Sequence, residues 1–206
     1  MANVSHAALT GSNLHEPKGA AEASANTVYR ADGAGSGSWE VPLKLIERRT
    51  FSGQTSEEFT GLSGYRALWI TIEGVTFSSS SIPIIQVGTS GTYRTSTYIN
   101  SILNASDDDV NGTQSGFQLC DAQTYTSGFG IIQISNFNNA SCPTSAQVSF
   151  IETSVNILFS STSPSVVRWN GVGVYPTAEA HAKFKLTTTA GTRTISSGYM
   201  TVFGIE

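Results

Sequence analysis

From Leu43 onward the apolar residues recur with the two-residue period of β-strands. The clearest run is Tyr65 to Val75: Leu68, Ile70 and Ile72 share one face, Trp69, Thr71 and Glu73 the other. Further strands are predicted over 43–51, 82–87, 129–135, 147–159, 166–175, 180–188 and 199–205. Pro83 lacks an N–H for a central ladder, so it marks a strand start or an edge. The 147–159 run is long enough to predict a bend or bulge. Residues 57–62 read as a turn-rich approach to the strong strand. Residues 88–118 read as an elaborated loop holding one or two short strands. No segment sustains a 3.6-residue apolar period; Gly19 to Asn26 has helix formers but no apolar stripe, so it predicts at most a turn. About eight to ten strands at these intervals predict an all-β fold, an antiparallel sandwich of jelly-roll type. No internal repeat points to a solenoid or propeller.

The first 42 residues have a different texture. From Ala31 to Ser38, ADGAGSGS, there is no large apolar side chain, so the run cannot bury enough surface to offset its ordering entropy. Single anchors punctuate the segment: Leu14, Pro17, Val28, Tyr29 and Trp39, followed by Val41 and Pro42. Spaced apolar anchors on a polar chain fit an extended arm that orders by docking; a plain linker is the alternative. Fully extended, such an arm reaches on the order of 130 Å. The expected organisation is therefore an arm over 1–42 and a sandwich domain over 43–206.

Composition narrows the partners. Charged residues make up 13% of the 206, against about 25% usually, and Ser, Thr, Gly and Asn replace them. Eleven basic and fifteen acidic residues give a net charge of −4, which disfavours nucleic acid. No apolar run approaches a membrane span, and MANVSHAALT lacks the basic and apolar regions of a secretory signal. Cys120 and Cys142 fit no zinc spacing and are expected as buried thiols, the state a reducing cytoplasm would keep, with a disulfide as the alternative. The sequons at Asn3, Asn104, Asn111 and Asn139 are then coincidences of a Ser/Thr/Asn-rich chain.

Candidate chemistry is sparse. His181 is the one histidine beyond the arm, no G-x-S-x-G elbow occurs, and a structural histidine, solvent-facing or hydrogen-bonded, is expected. No sequence signature selects a pair of carboxylates for glycoside hydrolysis. Asp107, Asp109 and Asn111, followed by Gly112, reproduce the opening of a calcium loop. Its twelfth position is Gln118 rather than Glu, so any Ca2+ affinity is expected to be weak, and no other cofactor is expected. Tyr93, Tyr98 and Trp169, with Trp69 and Tyr125, would stack on sugar rings or fill a subunit interface if they share a surface; core positions are the alternative.

One resemblance bears on function. Pro17-Lys18-Gly19-Ala20, Val28-Tyr29 and Ala31-Asp32-Gly33-Ala34-Gly35-Ser36-Gly37-Ser38-Trp39 resemble the N-terminal segment of tailed-bacteriophage virion proteins of head-decoration or short-fibre type. Gly198-Tyr199-Met200-Thr201-Val202-Phe203-Gly204-Ile205 is similar to the last strand of such proteins. The resemblance implies a non-enzymatic structural protein located in the virion. Its arm would dock on capsid or tail proteins, and its sandwich would assemble with copies of itself, most often as a homotrimer. A receptor-recognition module for host surface glycans is the alternative function, and a polysaccharide depolymerase ranks below it.

Overall fold

The computed structural model describes residues 23–24, 27–31, 37–40, 42–78, 82–104, 109–120, 127–155 and 164–206. Leu14, Pro17, Asp107, Tyr125 and most of Gly19 to Asn26 lie outside these residues. The chain divides into two units, Met1–Leu43 and Lys44–Glu206.

In the first unit, β1 (Val28–Ala31) pairs antiparallel with β2 (Gly37–Glu40), with Tyr29 opposite Trp39. The two rings meet edge to face, centroids 5.4 Å apart, and Arg30 donates to the Glu40 carboxylate at 3.3 Å. The sequence reading found anchors here but no strands.

The second unit is all-β among its described residues, and every strand pairing is antiparallel. Its strands are β3 (Lys44–Thr50), β4 (Glu57–Phe59), β5 (Ala67–Phe77), β6 (Pro83–Gly88), β7 (Tyr98–Asn104), β8 (Asp109–Gln114), β9 (Phe117–Gln118), β10 (Ser127–Ser135), β11 (Thr144–Val155), β12 (Pro164–Tyr175), β13 (Lys183–Thr188) and β14 (Ile195–Ile205). Eight of them form one sheet, in the order β3-β14-β5-β10-β11-β12-β7-β8; four form the other, β4-β13-β6-β9. The last strand therefore enters the large sheet between two of the first.

One apolar cluster joins the two sheets. Ile70 and Ile72 of β5, Ile132 and Ile134 of β10, Phe150 of β11 and Met200 and Val202 of β14 come from the large sheet. Phe59, Ile85, Val87, Phe184 and Leu186 come from the small one, with Phe59 stacked on Phe184 at 4.8 Å. Burying such side chains contributes roughly 1.5–3 kcal/mol each, which is what holds the sheets together.

Three details depart from the sequence reading. Residues 88–118 hold three strands rather than one or two. Strand β11 pairs with β12 in unbroken register from Thr144 to Val155, so no bulge falls there, while 156–159 of the run expected to bend or bulge lie outside the described residues. The irregularities fall elsewhere: on β10 between Gly128 and Gly130, and on β14 between Ile195 and Tyr199 and again at Val202/Phe203. There Gly198 has φ of +95°, and a Cβ on it would stand 2.6 Å from the backbone of Gly74. Gly198→Ala is therefore expected to cost about 2 kcal/mol, read as a lowered urea midpoint at unchanged m-value. Pro83, as expected, opens its strand.

Candidate interaction surface

A strand in an antiparallel sheet usually turns one face to the core and one to water, so its outward residues are polar. The large sheet breaks this rule. Its inward residues are the core just described; outward, the strand register aligns a row from β3 to β7: Leu45, Phe203, Trp69, Gln133, Gln147, Val172 and Ser101. The adjacent row runs Thr201, Thr71, Ile131, Ser149, Asn170 and Leu103. Ten large apolar residues of the described chain are well exposed, and eight belong to this face: Leu45, Ile99, Leu103, Phe129, Ile131, Ile151, Val172 and Val174. Ile131 is 43% exposed and Val172 54%.

The face is also short of charge. On β5, β10, β11, β12 and β7 its described charged residues are Glu73 and Arg168, and both sit toward one end, in register with Tyr199 and Ile151. Tyr199 donates to the Glu73 carboxylate, and Arg48 stacks over the Tyr199 ring at 3.9 Å, which makes that end an ionic rim. Between the rows lies a groove of about 540 Å³, lined by Trp69, Leu103, Ile131 and Val172 and by the amides of Gln133, Gln147 and Asn170. A contiguous apolar patch of this kind marks a place where something docks.

Of the aromatics singled out in sequence, Trp69 lines this face and Tyr93, Tyr98 and Trp169 do not. Tyr98 and Trp169 are 0% and 1% exposed, so neither offers a ring to a sugar or a subunit; both are core, which corrects the aromatic reading. The Tyr98 ring meets Phe117 at 4.9 Å and Tyr175 at 5.1 Å, and its hydroxyl accepts from the Val87 N–H at 2.9 Å. Burial pushes its pKa above the tyrosine range. Tyr93 is half-buried near the small sheet, bridged to Gly88, with the Lys183 and Lys185 ammonium groups 4.4 and 4.5 Å from its ring centre. Burial, and then the neighbouring Glu58, raise its pKa as well.

The calcium-loop residues lie in part outside the described residues, Asp107 among them. Asp109 to Gln114 form a strand paired with β7, with Asp109 opposite Leu103 and Asn111 opposite Ser101. Gln118, at the twelfth position, is buried and donates to the Cys120 carbonyl at 2.9 Å. No group of three metal-ligating side chains occurs among the described residues. Cys120 is buried and Cys142 is half-buried.

His181 is neither solvent-facing nor hydrogen-bonded through its ring, though its backbone N–H donates to the Phe137 carbonyl at 2.9 Å. It is 0% exposed, wedged between Phe137 and Tyr175 at ring distances of 5.8 and 5.6 Å, with no protein group bonded to either ring nitrogen. Several carboxylates are occupied by neighbours: Arg49 donates to Glu47 and Glu57, Arg94 to Glu179, and Lys44 to Glu206.

The sequence reading set Trp69 on the face opposite Leu68, Ile70 and Ile72 but did not single out the rest of the outward row. A signal was available in the doublets Ile102-Leu103, Ile131-Ile132 and Phe150-Ile151, which put apolar side chains on both faces at once. No family model, curated protein or solved structure matches the chain.

Proposed function

We propose that this chain is a non-enzymatic structural protein of a tailed-phage virion. Residues 1–42 dock on the particle, and residues 43–206, a β-sandwich of jelly-roll type, stand on its surface as a capsid decoration or a short head or tail fibre built of several copies. The observation that carries the reading is the hairpin of β1 and β2. It lies in the segment that resembles virion attachment arms, it is a sheet of two strands, and it holds the anchors Val28, Tyr29 and Trp39. A two-stranded hairpin is marginal in water on its own, so one with Val28 50% exposed gains from a surface to lie on.

Mass spectrometry of gradient-purified virions is expected to find the chain at a fixed copy number, and its absence there sinks the reading. In the same particles, Tyr29→Ala with Trp39→Ala is expected to reduce incorporation at least about tenfold, as loss of two aromatic anchors does at an interface. Incorporation at the normal level would remove the arm from the docking role.

A second reading, recognition of a host surface glycan, is favoured by Trp69 lining the groove beside Gln133, Gln147 and Asn170. An aromatic ring and neutral amides are what a neutral sugar needs. A glycan array without hits removes it.

A further inference from the structure

We propose that the outward face of the eight-stranded sheet is covered by a second copy of this chain, in a homo-oligomer whose contact is centred on Trp69, Ile131, Val172 and Leu103. The proposal deepens the reading of the chain as a self-assembling structural protein and rests on it.

Three observations select a copy over other occupants. The first is charge. The middle of the face is neutral: Glu73 and Arg168 lie toward one end, and the row through Ile131 meets charge only at its edges, Arg48 on β3 and Asp109 on β8, so the middle offers little to a polyanion or a charged protein. Its polar groups are Gln133, Gln147, Asn170, Ser101 and Ser149, with Thr71 and Thr201 beside them. Each of these carries both a donor and an acceptor, and an identical face supplies the complement of each.

The second is area. From β14 to β7 the face crosses six strands, about 24 Å at roughly 4.8 Å per step, and it extends for about 20 Å along them. That is on the order of 500 Å² in plan, and side-chain relief brings it near the ~800 Å² of accessible surface each partner contributes to a standard interface.

The third is extent. The apolar side chains continue past the groove, to Ile99 and Val174 on one side and to Phe129 and Ile151 on the other. A ligand filling only the groove leaves these in water; a second sheet laid face to face, about 10 Å away, covers them. A face of this kind left open is an aggregation hazard in every molecule, and only a partner present in equal number closes it in every molecule.

The test is the mass of the full-length protein in solution at micromolar concentration, by light scattering after size exclusion. The wild type is expected as a multiple of 21.8 kDa. Ile131→Lys with Val172→Lys buries two unpaired ammonium groups in the contact, so the dissociation constant is expected to rise at least about 100-fold and the protein to run at the monomer mass with an unchanged circular dichroism spectrum. Thr189→Lys, at an exposed turn after β13, is expected to leave the oligomer intact. Should the first pair of substitutions unfold the chain, Ile99→Lys with Leu103→Lys on β7 gives the same readout.

A folded double variant that keeps the wild-type mass overturns the assignment of this face while leaving self-assembly standing. A monomeric wild type overturns both. A monomeric wild type that binds neutral glycans, with binding lost in Ile131→Lys/Val172→Lys, gives the face to the sugar instead.

Discussion

Trp169→Ala is expected to lower the free energy of unfolding by about 3–5 kcal/mol, as removal of a fully buried large aromatic does. For a domain of this size that corresponds to a fall in Tm on the order of 10 °C. Trp169 sits on the inward face of β12, 1% exposed, in register with Phe150 of β11 and Asn104 of β7. Its ring is central to the large sheet, and the strands around it are paired on both sides and unable to collapse into the space it would leave. Two comparisons separate packing from other roles. The indole N–H has no hydrogen-bond partner in the protein, so Trp169→Phe removes an unsatisfied donor while keeping most of the apolar volume, and it is expected to cost well under half as much. Trp69, one face away, is half-buried in the groove; Trp69→Ala is expected to cost the monomer about 1 kcal/mol and to act mainly on association. Thermal unfolding of the three variants, at a concentration where all are monomeric, checks the order. A Trp169→Ala protein as stable as wild type would show that the core is not built as described.

These two tryptophans show how far the sequence could be read. Trp69 lies in a strand whose alternation is so regular that its outward position followed directly from Leu68, Ile70 and Ile72 pointing inward. Trp169 is flanked by Arg168 and Asn170, both polar and exposed, and the same alternation makes it the inward residue; treating it as a candidate sugar-stacking ring set the type of side chain above the period. Tyr98 was illegible for a different reason. Its hydroxyl is satisfied by the backbone at Val87 and Arg94, and its ring by Phe117 and Tyr175, contacts that local pattern does not encode. The placement of β14 between β3 and β5 is likewise a non-local pairing, with no periodic trace in the residues between them. What the sequence did show, strands beyond residue 43 and a distinct segment before it, depends on local composition and period alone. What it hid depends on which strands meet and on what a second apolar face is for.

Acidification is expected to destabilise the domain through His181 before the carboxylates titrate. Burial among Phe137, Tyr175 and the β13 end holds the imidazole neutral and depresses its pKa from 6.5 to about 4; the nearby Glu179 carboxylate opposes this and the Arg94 guanidinium adds to it. The unfolded chain binds the proton more readily than the folded one. The contribution of the neutral histidine is therefore complete above pH 6.5 and is lost as pH falls from 6.5 to about 4, for a loss of about 3 kcal/mol. Glu179 belongs to a lower window. Burial raises its pKa, but hydrogen bonds from Arg94 and Tyr175 together outweigh that and leave it below the ordinary carboxylate value of 4.5, so its ion pair is lost only under more acidic conditions. Urea titrations at pH 7, 6, 5 and 4.5 are expected to show a falling midpoint across the upper window. His181→Phe keeps a ring between Phe137 and Tyr175 but has nothing to protonate, so its midpoint should stay flat over the same range. Parallel curves for wild type and His181→Phe would place the acid sensitivity elsewhere. A wild-type midpoint that does not move would mean that the imidazole finds a charge-stabilising partner on protonation, the nearest carboxylate being Glu179.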